Sequence, residues 1–298
     1  LTISNTETGN QISIIPEMGA RLNQFIVNLH GSSVDIIDGY SDPKTLEKEN
    51  YAKSSLLAPF PNRIADGAYS FRGTAYQLPI NRPHEHNAIH GFVSHKVFKV
   101  ESSGVVDDFY EVVLRCVLEG SEGYPFSFAI TVRYRFGGVW LEVDTELKNT
   151  GNHQLPAGFG WHPYFRTGNS INGLRLTLPE VEQLEVDERL IPTGKKAKFD
   201  SFAAAHPIGT TEFDTGFHLI GDGREVQLFD EMSGLYITLT LPETDTPYEY
   251  VQVYTPPHRE SIALEPMTCA ADAFNNGMGL KRLSPGESLR SHFAILVS

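Results

Sequence analysis

The sequence predicts an all-β protein built from antiparallel strands. Between residues 97 and 147, apolar and polar side chains alternate over long stretches, as they do in strands with one buried face. The chain carries 26 Gly and 18 Pro, which supply the turns that many short strands require. At 298 residues it is long, yet all-β sandwiches and barrels often extend this far as single units. We therefore expect one domain over residues 1–298.

Charge and cysteine content restrict the partners and the compartment. With 24 basic and 37 acidic residues the net charge is −13, which repels nucleic-acid backbones and anionic membrane surfaces. No apolar run is long enough to span a bilayer. Cys116 and Cys269 are too few for a disulfide-stapled domain and are expected to be buried thiols in a reducing compartment. We expect a cytoplasmic protein that binds neither nucleic acid nor membrane and takes a neutral or weakly charged small molecule.

The first half of the chain is predicted to be a succession of hairpins. Runs rich in β-branched and aromatic residues, bounded by turn residues, predict strands at residues 1–4, 11–15, 21–28, 69–71 and 75–78. Residues 42–50 are polar and lack an apolar stripe, which predicts at most two helical turns on the surface. The clearest alternation lies in residues 130–136 and 141–147, which predicts a hairpin with its turn at Gly137-Gly138.

The second half of the chain is predicted to continue as strands after one interruption. The same criteria predict strands at residues 174–178, 226–229, 235–241, 250–254, 261–264 and 291–297. Residues 180–211 mix Pro, Gly, Lys and Ala without a clear period, which predicts an irregular segment.

An aromatic stretch, Gly158–Phe165, contains the first candidate for a functional site. In an extended chain Trp161 and His162 point to opposite faces, so a buried Trp161 leaves His162 and Tyr164 together on the other face. Pro163 cannot donate to a sheet ladder, which places His162 where a strand ends or bulges. A lone histidine more often makes a structural hydrogen bond, so the hypothesis of a catalytic His162 requires a partner elsewhere.

A second stretch, Ser261–Pro266, also has an ionisable residue followed directly by proline. Ile262 and Leu264 are expected to face the core, which turns Glu265 to the opposite face at the end of a strand. A glutamate at a strand end is usually just solvated. A His and a Glu on one concave face are nevertheless what general acid–base catalysis requires.

Three further places carry polar residues that are suited to binding. Asn62-Arg63 follows two prolines in an ordered loop, and the Arg63 guanidinium suits a pair of sugar hydroxyls or a carboxylate, with a surface salt bridge as an equal alternative. His90 precedes Gly91, which lets a ligand or backbone approach closely. Asp214 lies between two aromatic residues, where it could merely hold a turn.

Neither a metal nor another cofactor is expected. Three histidines lie within residues 84–90, but their spacing matches none of the common zinc motifs, and incidental histidines in a polar loop explain them. The chain also lacks the GxGxxG and P-loop patterns that bind dinucleotides and nucleoside triphosphates.

Five motifs, taken in order, resemble the aldose 1-epimerase family, the galactose mutarotases, over nearly the whole chain. The family has an Asn-Arg before a hairpin, a His-Gly, an aromatic-flanked His-Pro-Tyr-Phe, a downstream Asp, and a Glu-Pro followed by Ala-Asp-Ala-Phe-Asn. In this chain they are Asn62-Arg63, His90-Gly91, His162–Phe165, Asp214, and Glu265-Pro266 with Ala271–Asn275. One such motif is unspecific, whereas five in the same order are specific.

The resemblance implies a large antiparallel β-sandwich, the galactose mutarotase-like supersandwich with few short helices, and an open carbohydrate cleft. It also implies an aldose 1-epimerase that interconverts the α and β anomers of free aldohexoses such as glucose or galactose without a cofactor. By analogy, Glu265 is the base for the anomeric hydroxyl and His162 the acid for the ring oxygen. The remaining hydroxyls of the monosaccharide would be bound by Asn62, Arg63, His90 and Asp214.

Two alternative functions stay open on the same fold. A hexose-6-phosphate 1-epimerase needs a cluster of Arg or Lys at the cleft rim, for which Arg21, Arg82 and Lys96 are candidates, although the acidic composition favours neutral sugars. A non-catalytic sugar-binding or sensor protein is the other, since fold does not determine function. A glycosidase is disfavoured because it needs two carboxylic groups across the bond, whereas Glu265 pairs with a histidine. A monomer or homodimer is expected.

Overall fold

Short strands make up most of the secondary structure in the computed structural model, which describes residues 1–29, 31–47, 51–107 and 109–298. In chain order they begin with β1 (Thr2–Ser4), β2 (Gln11–Ile15), β3 (Arg21–Leu29), β4 (Ser32–Asp35), β5 (Leu56–Leu57), β6 (Arg63–Ala65), β7 (Ala68–Phe71), β8 (Thr74–Gln77) and β9 (Asn87–Ile89). They continue with β10 (Lys99–Val106), β11 (Phe109–Leu118), β12 (Phe128–Phe136), β13 (Trp140–Asn149), β14 (Leu155–Ala157), β15 (Gly160–Trp161), β16 (Tyr164–Phe165), β17 (Leu174–Thr177), β18 (Val181–Val186), β19 (Pro192–Phe199) and β20 (His206–Pro207). They end with β21 (Asp214–Leu219), β22 (Glu225–Asp230), β23 (Leu235–Thr240), β24 (Tyr250–Tyr254), β25 (Ile262–Met267), β26 (Lys281–Leu283) and β27 (Ser288–Val297).

Helices are few and short. The described residues hold α1 (Pro43–Glu47), α2 (Ala273–Asn276) and single 3₁₀ turns at Pro16–Met18 and Ile171–Gly173. α1 confirms the helical turn predicted within residues 42–50, of which residues 48–50 lie outside the described part of the chain. Across the described ranges, no helix combines the length and the apolar character needed to cross a membrane.

Two large antiparallel sheets form the body of the protein. Within the described residues, the back sheet has the strand order β10-β11-β12-β13-β27-β23-β22-β17-β20. The site sheet has the order β19-β18-β21-β24-β25-β15-β5, and β16 also pairs with β25. Strands β1 to β4 form a separate sheet, and the pairs β6–β9, β7–β8 and β14–β26 are small ribbons.

Aromatic side chains pack the back sheet against the site sheet. Trp161 on β15 is 1% exposed. Its ring centroid lies 5.1 Å from that of Phe293 on β27 and 6.3 Å from that of Tyr134 on β12. Burying such rings between two sheets is favourable by roughly 25 cal/mol per Å² of apolar surface removed from water. The predicted antiparallel sandwich, with Trp161 facing its core, is confirmed.

One part of the strand prediction is wrong. Residues 180–211, expected to be irregular, contain β18, β19 and β20. β18 pairs with β19 on one side and with β21 on the other, so both strands belong to the site sheet. β19 is the edge strand, and its residues 193–198 are all exposed. A strand that is solvated on both faces shows no apolar alternation, so sequence periodicity does not detect it.

Candidate active site

The candidate site lies where the hydrogen-bond ladder along one side of β25 is interrupted. β25 pairs with β16 at Ile262 and Ala263 and with β15 at Met267. Between these two pairings His162-Pro163 bulges out of the ladder, although the Pro163 carbonyl still accepts a hydrogen bond from the backbone N–H of Leu264 at 3.3 Å. The prediction that His162 lies at a strand end or bulge is confirmed.

Glu265 lies inside a strand, whereas the sequence predicts that it ends one. β25 continues through Pro266 to Met267. The backbone N–H groups of Leu264 and Thr268 both point toward the β15–β16 side, so the nitrogen of Pro266 points into the gap that His162-Pro163 leaves. The strand tolerates this proline because no ladder hydrogen bond is required at that point.

His162 and Glu265 meet in this gap. Nε2 of His162 lies 3.2 Å from Oε1 of Glu265, and the two side chains are only 8% and 3% exposed. The His162 ring stacks on Tyr164 with centroids 5.0 Å apart and lies edge-on to His90 at 5.4 Å. The predicted common face of His162 and Tyr164 is therefore confirmed. The partner that the His162 hypothesis requires is present.

Burial favours the uncharged form of both groups. Desolvation raises the pKa of Glu265 well above its ordinary value, and the Asp214 carboxylate adds to the rise. Desolvation also lowers the pKa of His162. With one proton between them, the pair can be a carboxylic acid beside a neutral imidazole or a carboxylate beside an imidazolium. The two forms differ only in the position of a proton along the 3.2 Å contact.

A polar pocket of about 320 Å³ opens beside this pair. All the residues that the sequence analysis assigned to the site line it: Asn62, Arg63, His90, His162, Asp214 and Glu265. The rest of the lining is Tyr51, Arg82, Glu85, Ile89, Tyr164, Gln252 and Tyr254. Of these, the sequence analysis names Tyr164, on the face of His162, and Arg82, as a candidate cation at the rim, and misses the others. Gln252 could have been found, because it alternates with the buried Val251 and Val253 and lies opposite Glu265 in the β24–β25 ladder.

Arg63 and Asp214 form the wall next to Glu265. Nη2 of Arg63 donates to Oδ2 of Asp214 at 3.3 Å, and Nε2 of Gln252 donates to Oδ1 of Asp214 at 2.6 Å. Oδ1 of Asn62 accepts a hydrogen bond from Nη1 of Arg63 at 3.1 Å. Arg63 is 8% exposed, so its salt bridge belongs to the pocket and not to the surface. Asp214 is the first residue of β21 and therefore does more than hold a turn.

His90 is held by an unusual backbone path. His90 and Gly91 have φ angles of +66° and +65°, and a Cβ on Gly91 would lie 2.0 Å from the carbonyl oxygen of Ala58. The backbone N–H of His90 donates to the carbonyl of Asn62 at 3.0 Å. The close approach expected at Gly91 is thus one of backbone to backbone. Desolvation, with a smaller effect of the neighbouring His162, lowers the pKa of His90, so its ring is a neutral hydrogen-bonding group.

Several buried polar atoms of the pocket have no hydrogen-bond partner among the described residues. They include Arg63 Nε, His90 Nδ1 and Glu265 Oε2. Buried polar atoms are nearly always paired, because leaving one unpaired costs about 1–3 kcal/mol. Their accumulation around one pocket is typical of a site for a ligand with many hydroxyl groups.

The histidines of residues 84–90 do not converge on one point. Nδ1 of His86 lies 2.8 Å from Oδ1 of Asp66 on the surface, whereas His90 faces the pocket. In the part of the chain that the structure describes, no group of three or more His, Cys, Asp or Glu side chains is arranged to hold a metal ion. Cys116 and Cys269 are buried free thiols, as expected.

A larger pocket, of about 500 Å³, lies between the back sheet and residues 244–246. None of the predicted site residues lines it. Its charged groups include Glu146 and Arg290, which form a salt bridge with each other at 2.8 Å. The smaller pocket is the candidate active site because it holds the buried acid–base pair.

Sequence comparison identifies related proteins. The family profile described as aldose 1-epimerase matches residues 1–296. The uncharacterized protein YihR of Escherichia coli K12 is 32% identical over 247 residues, which cover 80% of this chain and 77% of that protein. Human galactose mutarotase is 30% identical over 203 residues, or 64% of this chain. That match spans only 56% of the human protein.

Solved structures share the fold. A galactose mutarotase-like protein from Clostridium acetobutylicum matches with a TM-score of 0.86 at 18% identity, covering 98% of this chain and 93% of that one. Galactose 1-epimerase from Lactobacillus acidophilus NCFM matches with a TM-score of 0.84 at 18% identity, covering 100% and 93%. These likenesses confirm the galactose mutarotase-like sandwich. Because the family profile extends over nearly every residue, this chain belongs to the aldose 1-epimerase family.

Proposed function

We propose that the protein interconverts the α and β anomers of a free aldohexose, with glucose and galactose as the first candidates. The observation that carries the proposal is the 3.2 Å contact between His162 and Glu265 inside a polar pocket. Anomer interconversion needs one proton removed from the anomeric hydroxyl and one added to the ring oxygen. A buried carboxyl–imidazole pair that shares one proton can perform both transfers.

In the reactive form the shared proton lies on His162, and Glu265 is a carboxylate. Glu265 takes the proton of the C1 hydroxyl while Nε2 of His162 protonates the ring oxygen. The C1–O5 bond breaks and C1 becomes an aldehyde carbon. Rotation about C1–C2 presents the other face of the aldehyde, and ring closure reverses both proton transfers. The pair therefore ends in its starting state, with every proton accounted for.

Substrate binding supports this reactive form. Burial by itself favours the neutral pair, with the proton on Glu265. Oε2 of Glu265 is buried without a partner among the described residues, so a sugar hydroxyl that donates to it stabilises the carboxylate. The nearby Arg63 acts in the same direction by lowering the pKa of Glu265. Binding of the sugar thus moves the proton toward His162.

The remaining polar groups hold the sugar in place. Arg63 is a pure donor and Asp214 a pure acceptor, so side by side they suit a hydroxyl that both donates and accepts. Asn62 and Gln252, which contact Arg63 and Asp214, hold these two side chains in orientation. His90 also lines the pocket, and its buried Nδ1 has no hydrogen-bond partner in the described ranges of the chain.

A sugar with an anionic substituent is the second candidate, because Arg82 lines the pocket and forms no salt bridge among the described residues. The other two cations proposed for a phosphate cluster lie elsewhere. Arg21 is fully buried and donates to backbone carbonyls that include Ser94, and Lys96 is exposed away from the pocket. Arg63 is already paired with Asp214, and one arginine outside a salt bridge is a small charge for a phosphate dianion.

The proposal is tested by substituting each member of the pair. Glu265→Gln cannot accept a proton and His162→Asn cannot titrate, so each should retain sugar affinity and lose turnover. Because a general acid or base contributes about 10²–10⁴-fold, either change should bring the rate close to the uncatalysed background. The double variant should lose much less than the product of the two single losses, because acid and base act in one step.

The measurements are anomer exchange by NMR or polarimetry and affinity by calorimetry, over a panel of free and 6-phosphorylated aldoses. The exposed residues Glu260 and His153 provide matched controls, Glu260→Gln and His153→Asn. A wild type that acts only on phosphorylated sugars would establish the second candidate. A wild type that binds sugar but never exceeds the background rate would be a sugar sensor.

A further inference from the structure

The loop of residues 82–87 brings two charged side chains to the pocket wall. Backbone hydrogen bonds of 3.0 and 3.1 Å between Arg82 and Asn87 close this loop. Arg82 and Glu85 both line the pocket, and neither forms a salt bridge among the described residues. The loop continues directly into β9, which is followed by His90. The position of the loop therefore determines where Arg82 and Glu85 lie relative to a bound sugar.

Arg189 holds this loop from outside the pocket. It lies in the turn between β18 and β19, and its Nε donates to the carbonyl of Glu85 at 2.9 Å. Its Nη2 donates to the carbonyl of His86 and to Oδ1 of Asn87, both at 3.0 Å. Asn87 returns a hydrogen bond from Nδ2 to the carbonyl of Arg189 at 3.1 Å. One guanidinium thus joins three consecutive residues of the loop.

Asp66 completes the cluster. Its Oδ1 lies 3.0 Å from Nη2 of Arg189 and 2.8 Å from Nδ1 of His86. The Arg189 and Asp66 side chains are 37% and 53% exposed, so water screens this ion pair and it adds little to global stability. The main effect of the Arg189–Asp66–His86 cluster is to fix the backbone position of residues 85–87.

Arg189 is itself oriented by its own turn. Oδ1 of Asp187 accepts hydrogen bonds from the backbone N–H of Arg189 at 2.8 Å and of Ile191 at 2.9 Å. The turn begins at the end of β18, which pairs with β21 in the site sheet. Because β21 starts at Asp214, Arg189 connects the 82–87 loop to the sheet that carries Asp214 and Glu265.

We propose that Arg189 is a positioning residue of the sugar site, which fixes the 82–87 loop to the site sheet and so places Arg82 and Glu85 against the substrate. This rests on the proposed function. Arg82 can only donate and the Glu85 carboxylate can only accept, so the pair suits hydroxyl groups away from the anomeric carbon. The planar guanidinium of Arg189 reaches carbonyl and side-chain acceptors at once, which a lysine ammonium cannot reproduce.

The test compares Arg189→Ala with Arg175→Ala. Arg175 on β17 is 33% exposed, pairs with Glu231 and donates to the carbonyl of Ala205 at 3.2 Å, but it lies in the back sheet and does not line the pocket. We expect Arg189→Ala to raise KM for the best aldohexose about tenfold and to leave kcat within about twofold. Arg175→Ala should change neither, and Arg189→Lys should not restore KM.

Two further measurements separate positioning from general loss of structure. If Arg189 acts through Arg82, the KM increase of the Arg82→Ala, Arg189→Ala double variant should fall well below the product of the single increases. The ring NMR signals of His86 and His90 should shift in Arg189→Ala and stay in place in Arg175→Ala. Both variants should retain a cooperative thermal transition.

The outcomes distinguish this proposal from the proposed function. If Arg189→Ala changes KM no more than Arg175→Ala, or if the losses in the double variant multiply, the positioning role is overturned and the epimerase activity stands. A wild type that binds aldoses without interconverting them contradicts the activity alone, and the same comparison is then made on Kd. A wild type that neither binds nor converts any aldose overturns both.

Discussion

The contribution of the buried Glu265 to the stability of the folded protein depends on pH. Burial raises its pKa well above the ordinary value. In the unfolded chain a glutamate ionises at about pH 4.3, whereas in the folded protein Glu265 remains protonated to higher pH. Its contribution to stability is therefore fully present below the unfolded pKa and is lost as pH rises through the folded pKa.

We predict that Glu265→Gln raises Tm and that the gain grows with pH. Glutamine keeps the shape of the side chain but cannot ionise. The variant therefore does not lose stability as pH rises through the folded pKa of Glu265. The difference in the free energy of unfolding, and with it the Tm difference, should be small at about pH 4 and should grow toward pH 8. Each unit of pKa shift contributes about 1.4 kcal/mol to the free-energy difference. Thermal unfolding across this range is the measurement, with Glu260→Gln as the exposed control. Parallel curves for Glu265→Gln and the wild type would contradict a buried, perturbed carboxyl group.

Side chains of the site differ in how far the sequence predicts them. The faces of His162 and Glu265 follow from strand alternation, because a period of two assigns each residue to a face. The proline that follows places His162 correctly at a bulge, whereas the same argument is wrong for Glu265, which lies inside β25. Arg189 could not be found in this way. Its contact with Glu85 joins residues 104 positions apart, and both lie in turns whose direction is set by the packing of the sheets. Local pattern holds no information about such a contact.

Half-buried strands are predicted from the sequence, whereas a strand that is solvated on both faces is not. β12 and β13 are half-buried, so their apolar residues alternate, and the hairpin at Gly137-Gly138 is predicted correctly. β19 is solvated along nearly its whole length and gives no periodic signal, although it is as long as many of the detected strands. Its pairing with β18 supports the turn that carries Arg189, so the element that the pattern misses has a part in the site.

At the level of the elements, we predict that Gly91→Ala destabilises the protein and weakens sugar binding. A Cβ at this position would lie 2.0 Å from the carbonyl oxygen of Ala58, in addition to the strain of the positive φ. Gly73 has a φ of +80° but no atom within 4 Å of such a Cβ. Gly73→Ala should therefore lower the free energy of unfolding only by the strain of the positive φ, about 1 kcal/mol. Gly91→Ala adds the clash and should lower it by about 3 kcal/mol or more.

Denaturant unfolding of the two glycine variants gives the stability difference, and anomer exchange gives KM. The clash should also displace the preceding His90, so that KM rises in Gly91→Ala and not in Gly73→Ala. Equal losses in the two variants would mean that the approach of Ala58 to Gly91 places no constraint on the site.

For the molecule as a whole, the net charge of −13 provides a test of the substrate class. Salt screens the field of the protein within about 10 Å at 0.1 M, and a neutral sugar does not respond to that field. We predict that kcat/KM for a neutral aldose changes less than about twofold between about 0.05 and 0.5 M sodium chloride. For a 6-phosphorylated sugar, screening of the repulsion should raise kcat/KM. A strong salt dependence with glucose and galactose would contradict neutral substrates.

The back sheet cannot be completed until residues 288–297, which form β27, have been synthesised. β27 lies between β13 and β23 in the middle of this sheet, so both neighbours keep a long unpaired edge until residues 288–297 have left the ribosome. Open strand edges are surfaces through which incompletely folded chains aggregate, and these two edges stay open until β27 pairs with them. Phe293 of β27 also packs on Trp161, the residue before His162. The strand that closes the back sheet thus also completes the packing behind the acid–base pair.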